Sequence, residues 1–326
     1  MRRVTALVLG LLALSGCEES DRPQAAREQW KVHLAPVADQ PNLDEASASV
    51  WIPAGLDEVQ GALVFSRHAL GIEMYEDARW RQAAADDGYA LIEIEILADD
   101  DTVAAFAFPD QAATMIEDLL DAAAIQTGHG ELHDAPVVVW GHSAGAQMMT
   151  PAAALMPGRV AGFIAFHGSA QNQHLRPSDP LFDALMDPAF LDVPGLVMVA
   201  EHDPTGLRDA SVRLIEEGQE RGCRWALTID PDQDHWGTEG TFDLMIPFVR
   251  LAFEGSTAAG WLGTMDHFHQ ATGDETGSEI VTHTAIEPLQ PGVLPAGNWL
   301  ANQDFAASWL AYHQPTRGGI ARKDQE

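Results

Sequence analysis

Basic residues are scarce in this chain of 326 residues: 18 lysines and arginines stand against 49 aspartates and glutamates, a net charge of −31. Lysine occurs at Lys31 and Lys323 alone. A field of that sign repels nucleic acid and anionic polymers, so no nucleic-acid partner is expected and a highly anionic substrate is disfavoured. Cysteine is scarcer, at Cys17 and Cys223 only, so any disulfide framework is excluded and the fold must rest on its hydrophobic core.

The first residues, MRRVTALVLGLLALSGCEES, combine Arg2 and Arg3, an apolar stretch from Val4 to Leu14 and small residues ahead of Cys17. That is the pattern of a bacterial export leader, not of a membrane span. LSGC resembles a lipobox, which implies a signal peptide over 1–16, a lipidated Cys17 and a lipoprotein anchored in the cell envelope, facing the periplasm or the exterior. Residues 17–29 are polar and charged without an apolar period and read as a tether.

From residue 30, β-type and helical segments alternate. WKVHL, ASVWI and ALVFS read as strands, MYEDARWRQAAADDG as a helix ending near Gly88, and YALIEIEIL as a strand with period-two alternation. Ala112, Met115, Ile116, Leu119 and Ala123 share one helical face. PVVVW, RVAGFIAF and PGLVMVA have the two-sided apolarity of buried parallel strands. TGLRDASVRLIEEG reads as a helix with Thr205 as N-cap, RWALTI as a strand, and FDLMIPFVRLAF as a last helix bent at Pro247. This order predicts an α/β class chain: one mostly parallel sheet with helices on both faces over 30–254. Residues 169–193, rich in Gln, Asn, Pro and acids but holding Leu181, Phe182 and Leu185, are expected as a short cap. Residues 255–326 lose the pattern but keep Trp261, Phe268, Trp299, Phe305, Trp309 and Tyr312, too many aromatics for a disordered tail. They are expected as a partly extended segment packed on the main domain, ending in a short helix near NQDFAASWLAY.

Gly141-His142-Ser143-Ala144-Gly145 is G-x-S-x-G placed between a buried strand and a helix-favouring segment. A serine can stand at the tip of so tight a turn only if its flanking positions lack bulk. On this motif and its context the chain resembles the α/β-hydrolase superfamily over residues 30–254, and more loosely its secreted esterase branch of polyhydroxybutyrate-depolymerase and feruloyl-esterase type proteins. The resemblance implies an α/β-hydrolase fold with nucleophile, acid and histidine following one another in the chain. By position these are Ser143, Asp203 at the end of PGLVMVAEHD, and His235 in ALTIDPDQDHWG. Asp230, Asp232 and Asp234 remain alternatives for the acid, and His167 and His202 for the base. An oxyanion hole is implied at the Ala144 N–H and in the loop VFSRHALG, where Ala69 and Leu70 are the candidates. His142 is expected to support the turn and, with His167, Gly168 and Trp236, to border the substrate pocket.

The function this implies is a serine hydrolase of carboxylic esters working through an acyl-enzyme, on a small-molecule or oligomeric ester. The alternative is a non-catalytic envelope lipoprotein using the same frame to bind a ligand or partner. No cofactor and no metal are expected: Asp266 to Gln270, DHFHQ, is an isolated D-H-x-H run, and Asp99 to Asp101 lack the spacing of a calcium loop.

Overall fold

The structure, a computed structural model, describes residues 28–34, 45–68, 70–97, 108–171, 173–237, 239–255, 260–271, 277–289 and 297–313. The leader with Cys17, the run Asp99 to Asp101 and Ala69 lie outside the described residues. In chain order the elements to the end of the first sheet are β1 (Glu28–Leu34), β2 (Glu45–Ile52), β3 (Gly61–Ser66), α1 (Gly71–Met74), α2 (Ala78–Asp87), β4 (Tyr89–Leu97), α3 (Pro109–Thr127), β5 (Val137–His142), α4 (Ala144–Leu155), β6 (Val160–Phe166), α5 (Pro180–Leu185), α6 (Pro188–Leu191), β7 (Gly195–His202), α7 (Thr205–Gln219) and β8 (Trp225–Asp234). There follow α8 (Phe242–Glu254), β9 (Trp261–Ala271), β10 (Gly277–Pro288), β11 (Asn298–Leu300) and α9 (Gln303–Tyr312).

Eight strands form one sheet in the order β1-β2-β4-β3-β5-β6-β7-β8. The two pairings made by β2 are antiparallel and all others parallel. Successive side chains of a strand face opposite ways, and the core divides accordingly. Val64, Val137, Val139 and Val197 pack under α3, α4 and α7. Leu63, Val138, Ile164 and Leu196 pack under α2, α8 and α9. A mostly parallel sheet of this order, covered on both faces and carrying a serine turn after β5, is the α/β-hydrolase fold.

Several local boundaries differ from the sequence reading. The helix expected from Met74 starts at Ala78, because the Asp77 side chain accepts the N–H groups of Arg79 and Trp80 and caps it. Thr205 is the first residue of α7 and Pro204 holds the cap position, so Thr205 is not the N-cap. β8 runs on to Asp234, which moves Asp230 from an expected loop into the sheet, fully buried. In the stretch expected as a cap, Leu185 and Phe190 are fully buried and Phe190 stacks on Phe163 at 5.1 Å, so this part of it is core.

Beyond α8, β9 pairs antiparallel with β10 and β11 in a second, three-stranded sheet, where a partly extended segment was expected. The run Asp266 to Gln270 lies in β9. Among the described residues no group of three or more His, Cys, Asp or Glu could hold a metal ion, and no helix is long and apolar enough to cross a membrane.

β8 is the last strand of the large sheet, and its outer edge is met by side chains from the C-terminal segment. The Leu227 N–H donates to Asn298 Oδ1 at 2.6 Å, and the Leu227 carbonyl accepts from Trp309 Nε1 at 2.9 Å. The Ile229 N–H donates to His313 Nε2 at 3.1 Å. Three side chains thus take the hydrogen-bonding place of a ninth strand and close an edge that would otherwise recruit another chain.

Candidate active site

Ser143 sits between β5 and α4 at φ 55°, a left-handed conformation rare for a residue with a Cβ. The flanking glycines make that turn possible. A Cβ on Gly141 would lie 2.5 Å from the main chain of Gly145 and Ala146, and one on Gly145 would lie 2.0 Å from Ser66 Oγ. The Ser143 N–H is tied to the Phe166 carbonyl at 3.0 Å. Its hydroxyl is thereby lifted to the carboxyl edge of the sheet, partly exposed.

Asp203 follows β7 in a tight turn. Its N–H donates to the Ala200 carbonyl at 3.2 Å, and its Oδ2 accepts the Ala200 N–H at 2.9 Å. One carboxylate oxygen is thus fixed, and the other, Oδ1, faces His235 Nδ1 at 2.7 Å. On the other side of the ring, His235 Nε2 lies 2.7 Å from Ser143 Oγ. The three residues singled out by position, from three separate loops, therefore form one continuous hydrogen-bonded chain. The other acids do not reach His235 Nδ1: Asp230 pairs with His167, while Asp232 and Asp234 are exposed, Asp234 accepting the Trp236 N–H. His202 is exposed as well.

The loop after β3 corrects one expectation. The Leu70 N–H donates to His142 Nδ1 at 3.2 Å and so does not face the serine. The N–H groups of Arg67, His68 and Gly71 also have acceptors, the carbonyls of Ile94, Ser66 and His68. The His68 ring, half-buried near His235, is held below the usual histidine pKa by burial and then by His235. Across from this loop, Ala144 opens α4, where the first N–H groups have no acceptor within the helix.

The expected pocket residues fall into different places. His142 is fully buried: Nδ1 accepts from Leu70 and Nε2 donates to the His235 carbonyl at 2.7 Å. Burial, and then His167, push its pKa down to about 3, so it is neutral. His167 is equally buried and stands behind the site. Gly168 is packed against the Ser143 main chain, where a Cβ would come within 2.8 Å of the Ser143 carbonyl oxygen. Only Trp236 is at the surface, 65% exposed, its ring 5.6 Å from that of His235. An open cavity of about 420 Å³ lies on the α4 and α7 side, bordered by Gln147, Ala170, Gln171, Pro204 and Leu207. Its lining is neutral, with two carboxamides set among apolar groups.

Sequence reasoning missed a second histidine–aspartate pair. His167 Nε2 lies 2.8 Å from Asp230 Oδ2, with both side chains fully buried. The available signal was period-two alternation in ALTID, which puts Thr228 and Asp230 on one face of a strand with apolar neighbours.

A scan against models of protein families finds no match to this chain, and a search of curated proteins finds none. Among solved structures the chain is similar to an esterase from Pyrobaculum calidifontis, at 15% identity over 71% of this chain and 86% of that one, with a TM-score of 0.45. It is similar to poly(aspartic acid) hydrolase-1 from Sphingomonas sp. KT-1 at 19% identity, over 63% and 94%, with a TM-score of 0.47. For brefeldin A esterase, a bacterial homologue of human hormone sensitive lipase, the values are 16% identity, 73% and 80%, and a TM-score of 0.43.

Proposed function

We propose that this protein is a serine hydrolase of carboxylic esters. The observation that carries the reading is the unbroken chain from Ser143 Oγ through His235 to Asp203, both links at 2.7 Å, with the serine raised on a left-handed turn at the start of a 12-residue helix. In the reaction His235 Nε2 takes the Ser143 proton as Oγ bonds to the acyl carbon. The tetrahedral oxyanion is met by the Ala144 N–H and by the Ala69 N–H. The Ala69 donor is one that the family resemblance implies in the loop VFSRHALG. Collapse breaks the bond to the alcohol, which leaves with the proton from His235, and a water then repeats both steps to free the acid and restore Ser143. Asp203 accepts from Nδ1 throughout and stabilises the imidazolium. This chemistry calls on no cofactor.

The neutral cavity beside α4 suits an uncharged acyl or alcohol group of modest size, and the charge of −31 disfavours anionic esters. The leader ending in LSGC supports a further part of the proposal, that the enzyme is held on the cell envelope by lipid at Cys17.

A fluorophosphonate that forms a covalent bond to activated serine tests the assignment. The parent is expected to gain one adduct, mapped to Ser143. Ser143→Ala is expected to take up none, to keep its fold, and to lose on the order of 10⁴-fold or more in ester turnover. A parent that ignores the reagent is a binder and not a hydrolase.

A further inference from the structure

The hydrogen-bonded chain continues behind His235, through its main chain. The His235 carbonyl accepts two imidazole N–H groups, from His142 Nε2 at 2.7 Å and from His167 Nδ1 at 2.9 Å. His167 Nε2 meets Asp230 Oδ2 at 2.8 Å, and Asp230 Oδ1 accepts the hydroxyl of Tyr312 from α9. A carbonyl oxygen can only accept, so Nδ1 of His167 carries a proton, and the carboxylate keeps a second one on Nε2. Burial opposes that charge. The hydrogen bond and charge of Asp230, the charge of Asp203 and the His235 carbonyl outweigh it and hold His167 above the usual histidine value. The groups facing His167 are Asp230 on β8, Asp203 beyond β7, His142 on β5 and the loop of His235. His167 is also strained, at φ 47°, a conformation that persists only where its surroundings over-determine it.

We propose that Tyr312, Asp230 and His167 form a positioning relay that fixes the main chain of His235, and with it the imidazole facing Ser143, so that the C-terminal helix is a working part of the active site. This rests on the reading of Ser143 and His235 as the reacting pair. None of the three touches substrate; each acts through the next. The need arises because His235 lies in a turn just past the end of β8, and its bond to Ser143 is broken and remade in every turnover. The ring must be held by something that does not take part. The His142 and His167 N–H groups on one carbonyl oxygen do this, and the one from His167 is charge-assisted and hence the stronger. Tyr312 holds one oxygen of Asp230 and leaves the other aimed at His167.

The test uses Tyr312→Phe, which removes one oxygen and keeps the ring, beside Asn298→Ala, which loosens the same C-terminal segment at Leu227 without touching Asp230. kcat and KM are measured separately, together with the downfield proton NMR signal of the His235 Nδ1–H in its bond to Asp203, which needs no substrate. Misplacing a catalytic group by about 1 Å costs up to ~10²-fold, so Tyr312→Phe is expected to lower kcat by ~10- to ~100-fold with KM little changed, and to shift or broaden that signal. Asn298→Ala is expected to lower Tm and leave the signal and the kcat of the folded protein as in the parent. Tyr312→Phe with parental kcat and signal overturns the relay, and so does an equal loss of kcat in both variants. Asp230→Asn carries the same test if the phenylalanine variant does not fold. Failure of the underlying reading is visible separately, as a parent whose serine ignores the fluorophosphonate while the nitrogen NMR of His167 still shows both ring nitrogens protonated.

Discussion

His142 and His167 donate to the same carbonyl oxygen yet their pKa values are pushed in opposite directions, down for His142 by burial first and up for His167, because only His167 meets a carboxylate at its second nitrogen. His142 meets a main-chain donor there, from Leu70, and stays neutral. His313 follows the His142 pattern. Its Nδ1 donates to the Trp309 carbonyl at 2.8 Å, its Nε2 accepts from Ile229, and burial brings its pKa down to about 4 against a weaker upward pull from Trp309 and Asp230. A histidine whose folded pKa is depressed stabilises the fold fully above its unfolded value and loses that contribution as pH falls from about 6.5 towards 4. Replacing His313 by Gln keeps an acceptor for Ile229 and removes the titration. His313→Gln is therefore expected to differ little in Tm from the parent near pH 8 and to gain on it steadily below pH 6.5, by up to about 3 kcal/mol near pH 4. Parallel stability curves for the two would rule out the buried neutral state. Ser143, Asp203 and His235 could be singled out because each sits just past the end of a strand and the family resemblance implies their order and roles. Asp230 and Tyr312 were not, since 82 residues separate them and nothing local in either segment marks a hydrogen bond across that distance.

The turn at Ser143 shows which glycines an element depends on. At Gly141 the space a methyl would need is filled by main chain, which cannot move aside without displacing the start of α4. Gly141→Ala is expected to destabilise the fold by at least about 1–3 kcal/mol and to slow fluorophosphonate labelling sharply, because Ser143 moves with the helix. Gly158, with open space around its Cβ position, provides the comparison, and Gly158→Ala is expected to stay within about 0.5 kcal/mol of the parent. Melting curves and labelling rates of both check this, and a labelling rate in Gly141→Ala equal to the parent's would remove the steric account. The strands of the large sheet were legible from apolar runs bounded by turn residues. The C-terminal sheet was not, because in WLGTMDHFHQA polar and apolar residues do not alternate cleanly and a glycine stands inside the strand. The role of the C-terminal segment at the edge of β8 is carried by single side chains, Asn298 from β11, Trp309 from α9 and His313 just after it, which no strand pattern announces.

At the scale of the whole molecule the governing quantity is charge. With 49 acidic and 18 basic residues, most carboxylates have no cation available to pair with. Among the described residues arginine holds such pairs as Arg250 with Asp87 at 2.9 Å and Arg81 with Glu76 at 2.6 Å, and histidines face other carboxylates. Exposed pairs of this kind contribute about 0–1 kcal/mol each, too little to offset the repulsion among the remaining carboxylates. That repulsion acts over the Debye length, about 30 Å at 0.01 M salt and 3 Å at 1 M. The unfolded chain spreads the same charges over a larger volume, so screening helps the folded state more. Tm is therefore expected to rise as sodium chloride goes from about 0.01 M to 1 M, and the gain to shrink near pH 4.5, where protonation has already removed much of the charge. The fully buried His167–Asp230 pair is shielded from the ions, so Tyr312→Phe should show the same salt dependence as the parent although its kcat differs. A Tm that stays flat or falls with salt at pH 7.5 would mean that the acidic surface does not limit the stability of this fold.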